Sequence, residues 1–208
     1  MIPSSPAATA ATGRVAGHPV DPLFLNRWSP RAFDGAPMPR AHLLTILEAA
    51  RWAPSAFNIQ PWRFVHAHRD DPAWDTFVGL LDPFNGGWAH RAAALVVVLS
   101  DTLVSGDGTR PDRPSSTHAF DAGAAWAQMA LQATALGYQA HAMAGIERDA
   151  IRAALGVPER FHIPIAVALG RAADPVVLPE TLRAREVPSD RLPLDAIAFA
   201  GAFPAAGA

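Results

Sequence analysis

Arg27-Trp28-Ser29-Pro30-Arg31 sets a hydroxyl between two guanidiniums. Ser29 precedes a proline, which biases it toward extended backbone. Side chains alternate in an extended segment, so Arg27, Ser29 and Arg31 share one side. Guanidinium forks match phosphate oxygens, and such a face suits a phosphate monoester. An exposed basic edge strand with salt-bridged arginines would carry the same residues.

A second cluster lies in AARWAPSAFNIQPW, residues 49–62, where Pro54, Ser55, Asn58, Gln60 and Pro61 separate two apolar runs. Each amide offers both a donor and an acceptor. A heteroaromatic ring with alternating carbonyl and N–H edges needs such groups, and aromatic and proline surfaces suit its faces. The plainer alternative is a turn held by Ser55 and Asn58, with Trp62 in the core. Met143-Ala144-Gly145 follows a strand-like run, and a glycine there lets backbone N–H groups approach a ligand closely or simply makes a turn. Arg191, in SDRLPL, could close over a phosphate from a distant segment or be an ordinary surface charge.

The elements that must position these residues are legible in outline. Residues 41–53 place Leu43, Leu44, Ile46, Leu47 and Ala50 at helical spacing, and Pro54 stops that helix. Residues 62–66 alternate as a strand, and Asp71-Pro72 predicts a capped helix running to about Leu81. AALVVVLS, residues 93–100, reads as a buried strand. Residues 120–136 form a long, nearly uncharged helix ending at Gly137, which must be covered on most sides, at the domain centre or in a subunit interface. Strands over 138–143 and 163–170 bracket a short helix at 148–155, and an irregular excursion fills about 174–193. Helices and strands alternate with uneven connectors, as in an α+β or α/β sandwich around one sheet.

The 208 residues, 50% hydrophobic and 17% charged, suit one globular domain over 19–208 preceded by a mobile arm at 1–18. There is no cysteine, which excludes disulfides and thiolate metal sites and fits a cytoplasmic protein. A net charge of −2 gives nucleic acid no general reason to bind, and no apolar run has the ~20 residues that cross a bilayer. His66 and His68 could share a strand face, but no third ligand follows at useful spacing and HExxH is absent, so no metal site is expected. There is no G-x-S-x-G, and Gly106-Asp107-Gly108 lacks the third glycine of a dinucleotide fingerprint, so it reads as a flexible loop.

Taken in order, R-W-S-P-R-A-F, then A-P-S-A-F-N-x-Q-P-W-R-F, the apolar strand, the long helix, M-A-G and a late R-x-P-L resemble the flavin-dependent nitroreductase family over roughly residues 24–200. The resemblance implies a three-layer α+β sandwich, its central sheet mainly antiparallel and flanked by helices. It also implies a homodimer of domain-swapped style holding two flavin mononucleotides (FMN) at the subunit interface. Arg27, Trp28, Ser29 and Arg31 would then hold the phosphate and ribityl end, with Arg191 returning to the phosphate. Pro54, Ser55, Ala56 and Asn58 would approach the same flavin from the partner. Ala144 and Gly145 would lie near the reactive edge of the ring, with backbone N–H groups near N5.

The flavin would carry the redox work, which is consistent with the lack of any evident acid–base pair. The implied reaction is ping-pong: NAD(P)H delivers hydride to flavin N5 and leaves, and a small nitroaromatic, quinoid or similar electron-poor acceptor takes its place. Two departures from the family pattern stand out. Ala144 replaces the acidic residue common before the glycine, and Leu192 follows Arg191 where many members carry a second basic residue, so phosphate binding would lean on Arg27 and Arg31. Asn85, His90 and Arg91 are the candidates for a contact beneath the pyrimidine end of the ring. The same cradle could serve a flavin sensor or storage protein without turnover, or a flavin-dependent dehydrogenase or dehalogenase of one metabolite.

Overall fold

Four Asp-Pro pairs punctuate the chain, and each proline preorganises a helical first turn while the aspartate offers a cap. The structure, a computed structural model, describes residues 11–106, 109 and 111–204. At the first pair, Asp21 accepts from Leu23 N at 2.8 Å and opens helix α1, Pro22–Asn26. Helix α2, Arg40–Arg51, buries Leu43, Ile46 and Ala50 on one stripe and ends before Pro54 as expected. A tight turn over Ala56–Asn58, with left-handed backbone at Phe57 and Asn58, leads to strand β1, Trp62–His68.

The expected Asp71 cap is not made. Its carboxylate accepts from His68 N at 2.8 Å and pairs with Arg40, so helix α3 covers only Trp74–Gly79. The cap recurs at Asp82, which accepts from Asn85 N at 2.7 Å and opens helix α4, Pro83–Ala89, an element the apolar pattern did not announce. Strand β2, Ala94–Asp101, is buried along its whole length. The loop expected to be flexible has paired stems, β3 at Leu103–Val104 and β4 at Arg113–Pro114, while Asp107 and Gly108 lie outside the described residues.

Helix α5, His118–Ala135, stops where Gly137 takes φ +77°, the left-handed conformation that closes a helix without a Cβ penalty. Strand β5, Gln139–Met143, helix α6, Arg148–Leu155, and strand β6, Phe161–Gly170, follow as expected to within two residues at each end. The late excursion contains a 3₁₀ turn at Pro175–Val177, capped by Asp174, a short helix α7 at Glu180–Arg183 and a final 3₁₀ turn at Leu194–Ala196.

The four long strands form one sheet in the order β1-β2-β6-β5, every neighbour antiparallel. Alternation sends Ala94, Val96 and Val98 to one face, where they pack with Ile46, Ala50, Ala125 and Met129 of α2 and α5. Leu95, Val97 and Leu99 face the other way, against Phe77, Trp88 and Ile151 of α3, α4 and α6. The result is the three-layer sandwich expected of the sequence.

Helix α5 buries one face on the sheet but leaves Phe120 81% exposed, so a nearly uncharged helix is only half covered by its own chain. Of the expected mobile arm, residues 1–10 lie outside the described residues, whereas Ala11 N bonds Asn26 Oδ1 at 2.9 Å and Thr12 Oγ1 bonds Leu25 O at 2.8 Å.

Candidate functional site

The segment following α1 crosses the outer edge of β5, and the sheet edge holds it there. Trp28 N donates to Gln139 Oε1 at 3.3 Å, and the Pro30 carbonyl accepts from His141 Nδ1 at 2.9 Å. Arg31 N and Ala32 N both donate to Glu186 Oε1, at 2.6 and 2.7 Å. So fixed, Arg27, Ser29 and Arg31 do share one side, with Arg27 Nη1 donating to Ser29 Oγ at 3.3 Å.

They line a cavity of about 320 Å³ with Trp28, Arg14, Arg185, Arg191 and His141. Arg191 thus reaches the pocket from the far end of the chain, its Nη1 anchored on Ser189 Oγ at 3.2 Å and on the Asp190 carbonyl at 2.9 Å.

Burial and then the charges of Arg14 and Arg191 lower the Arg27 pKa from its ordinary value. Crowded like charges with little water are unfavourable until an anion neutralises them. Burial lowers the His141 pKa most; the Pro30 carbonyl opposes this and Arg31 reinforces it. The ring is therefore neutral near pH 7, its Nδ1–H committed to Pro30 and its centroid 4.6 Å from that of the tilted Trp88 ring.

A second, apolar cavity of about 480 Å³ adjoins the first and shares Arg27 and Ser29 with it. Phe24, Trp126, Ala130 and Ala142 form its walls, from α1, α5 and β5. A basic hole opening beside an apolar slot can take a molecule with an anionic tail and a flat apolar body.

Ala144 and Gly145 follow Met143 at the end of β5, and neither lines either of these two cavities. Among the described residues, neither backbone N–H finds a protein acceptor. Gly145 has a packing reason for its identity as well: a Cβ there would fall on the Asp82 carboxylate and within 2.6 Å of Asn85 Nδ2. The Gly145 carbonyl accepts from both Asp82 N, at 3.2 Å, and Asn85 Nδ2, at 3.0 Å. Of the three pyrimidine-end candidates, Asn85 alone bonds to Gly145. His90 Nδ1 bonds the Gly86 carbonyl and Arg91 bonds those of Phe33 and Asp34.

Pro54, Ser55, Ala56 and Asn58 are not brought to this pocket within one chain. They precede β1, at the opposite sheet edge from β5. Three inter-strand steps of ~4.8 Å separate those edges, about 14 Å. The connector is held rigidly even so: Gln60 N donates to Ser55 Oγ at 3.0 Å and Ala56 N to Asp121 Oδ2 at 3.4 Å. Phe57, Asn58 and Gln60 take φ of +50°, +55° and +52°. Asparagine tolerates this region, but Phe57 and Gln60 adopt it only where the surroundings enforce it, and such strain clusters at functional segments. Phe57 is 93% exposed, and the Asn58 amide side chain has no partner among the described residues.

His141, Arg14 and Arg185 line the pocket and Glu186 holds the Arg31 segment beside it, and none of the four was picked out from the sequence. Glu186 acts from 155 positions away, so no local spacing reveals it, although an acid set among Arg183, Arg185 and Arg191 was a usable signal. His141 had one too, since alternation along β5 sets it apart from Ala140 and Ala142. Arg14 had none, in a segment of small residues.

A model of the Nitroreductase family matches residues 25–73 and 67–171. The chain is 33% identical over 202 residues to an NADH dehydrogenase of Thermus thermophilus, covering 83% of this chain and 91% of that protein. Among solved structures, an oxidoreductase containing FMN superposes with a TM-score of 0.91 at 52% identity, over 95% of this chain and 99% of that one. A Desulfovibrio desulfuricans protein in complex with FMN gives a TM-score of 0.68 at 26% identity, over 88% and 96% of the two chains. Family match, relatives and architecture agree, and the chain belongs to the nitroreductase family.

Proposed function

We propose that the protein is an FMN-dependent oxidoreductase that uses NAD(P)H to reduce small electron-poor acceptors such as nitroaromatics and quinones. The observation that carries this reading is the basic cavity opening beside an apolar slot, with Arg27 and Ser29 common to both. The FMN complexes among the structural relatives support the same cofactor. When bound, FMN supplies the two-electron chemistry, accepting from NAD(P)H and giving to the acceptor in alternate, ping-pong half-reactions.

The chain's own residues position and polarise. Arg27, Ser29, Arg31 and Arg191 neutralise the phosphate, and Trp28 walls its ribityl end. The unpaired N–H groups of Ala144 and Gly145 are donors available to the reactive edge of the ring. Neutral His141 holds the Pro30 carbonyl and so keeps the 27–31 segment in register on the sheet.

The working unit in this reading is a homodimer. Pro54, Ser55, Ala56 and Asn58 complete the site of a second copy, which accounts for their rigidity, their exposure and their distance from Arg27. The half-covered α5, with Phe120 81% exposed, supplies an apolar face for that copy, and exposed Leu194, Ile197 and Phe203 of the C-terminal segment fit its domain-swapped style. Among the described residues no helix is long and apolar enough to cross a membrane, and a cytoplasmic setting, where reduced nicotinamide is at hand, completes the proposal.

The test is the absorbance spectrum of freshly purified protein before and after NADPH. Flavin bands that bleach on reduction and return when a quinone is added support the reading. A colourless protein that takes up no FMN ends it, and a yellow one that neither NADH nor NADPH bleaches is a flavin carrier.

A further inference from the structure

Arg14 stands ahead of the stretch matched to the family, yet its guanidinium faces the same cavity as Arg27, Arg31 and Arg191. Its Nε donates to the Ser189 carbonyl at 2.9 Å, and its Nη1 to those of Arg27 at 2.8 Å and Leu25 at 3.3 Å. One side chain therefore joins three segments: the N-terminal arm, the loop bearing Arg27 and the C-terminal stretch bearing Arg191. Its Nη2 takes part in none of these bonds and is free to meet a ligand.

All three acceptors are neutral carbonyls. Among the described residues, Arg14, Arg27 and Arg191 have no carboxylate within ion-pair distance, whereas Arg31 has Glu186 at 4.0 Å. Burial and the charge of Arg191 lower the Arg14 pKa, against a smaller opposing effect of Asp190. With Arg185, which lines the cavity and likewise has no carboxylate ion pair among the described residues, four such cations call for an anion of more than one charge, which a phosphate monoester is and a carboxylate is not.

We infer that Arg14 is a phosphate ligand of the flavin pocket, and that the bound phosphate clasps the N-terminal arm to the 185–191 segment. The inference rests on the flavin reading above. A consequence is that FMN, and not riboflavin, tightens both ends of the chain, because only FMN carries the charge that the three segments share.

Flavin-stripped full-length protein, Arg14→Ala and Arg14→Lys are titrated with FMN and with riboflavin, following flavin fluorescence. Losing one charge-assisted contact weakens FMN about tenfold or more in Arg14→Ala, leaves riboflavin within about twofold, and costs Arg14→Lys less. Hydrogen exchange on the unmutated protein gives a second readout: amides of residues 11–14 and 189–191 slow on adding FMN but not on adding riboflavin. Equal weakening of both flavins makes Arg14 a tether only and overturns the inference, as does undiminished FMN binding by Arg14→Ala. If Arg14→Ala does not fold, the absence of FMN-specific slowing in the parent overturns it alone. A parent that favours FMN while Arg14→Ala keeps the full preference removes only Arg14 from the site; a parent that binds neither flavin removes the flavin reading and this inference together.

Discussion

Removing the Glu186 carboxylate should loosen the pocket without replacing any residue that lines it. Glu186 is 6% exposed, and one of its oxygens accepts from both Arg31 N and Ala32 N. Glu186→Ala leaves those donors without their acceptor, one of them beside the fully buried Phe33. A hydrogen bond to a charged group contributes ~1.5–3 kcal/mol, and the two share one oxygen, so the loss should be about 3 kcal/mol. Glu186→Gln retains a neutral acceptor and should lose about half as much. For a chain of this size the alanine variant then melts about 6–12 °C lower. Thermal unfolding of the two variants and the parent, each with FMN titrated on the same samples, makes the comparison. The expected order is parent, Gln, Ala in both melting temperature and FMN affinity, because the freed Arg31 segment no longer presents its guanidinium in place. An alanine variant that melts within about 1 °C of the parent and binds FMN equally well would refute the reasoning, since a buried acceptor of two donors cannot be lost at no cost.

Gly145→Ala should be destabilising by about 1–3 kcal/mol, because the added methyl meets Asp82 and Asn85; urea midpoints read the change, and an unaltered midpoint would show that α4 can move aside. His141 has a folded pKa depressed below 6.5, so the unfolded chain takes up its proton first. The stability that neutral His141 contributes is thus fully present above pH 6.5 and declines as pH falls below it toward the folded value. His141→Gln should show a smaller drop in urea midpoint between pH 7.5 and pH 5 than the parent; an identical drop contradicts the shift, since depressed His162 remains in both proteins. In a mixed dimer, a chain carrying Arg27→Ala and Arg31→Ala joined to one carrying Asn58→Leu should concentrate both defects in one flavin site and leave the other intact. A flavin content of about one per dimer, measured by absorbance, is expected under this shared-site geometry; two impaired sites would contradict it.

Much of the architecture could be read from periodicity, because β2 and α5 are long, apolar and unambiguous in type. The misreadings come from one local signal used two ways. Asp71-Pro72 and Asp82-Pro83 look alike, but the Asp71 carboxylate is taken by His68 N and Arg40, while Asp82 is left to cap its own helix. PFNGGWA then forms a helix that its two glycines argued against, since Asp82 caps it and Trp88 anchors it in the core.

In the pocket, Arg27, Ser29 and Arg31 were legible because strand alternation is local. Arg14 and Glu186 were not, because their partners lie up to 175 residues away and only the closed fold brings the two ends of the chain to one sheet edge. The strained turn at Phe57 and Asn58 is of a third kind. Its unusual composition was visible, but its positive φ values, which Phe57 and Gln60 ordinarily avoid, appear only in the structure.

The central claim is that guanidiniums around Arg27 and Arg31 hold the phosphate of FMN beside the apolar slot. Its most direct test is the ratio of FMN to riboflavin affinity in stripped parent protein and in the Arg27→Ala, Arg31→Ala double variant. The account predicts a preference for FMN of about a hundredfold or more in the parent, from at least two charge-assisted contacts, and a fall of about a hundredfold in the variant, where Arg14 and Arg191 still face the cavity. Equal affinity for the two flavins in the parent, or a preference undiminished by the loss of both arginines, would contradict it.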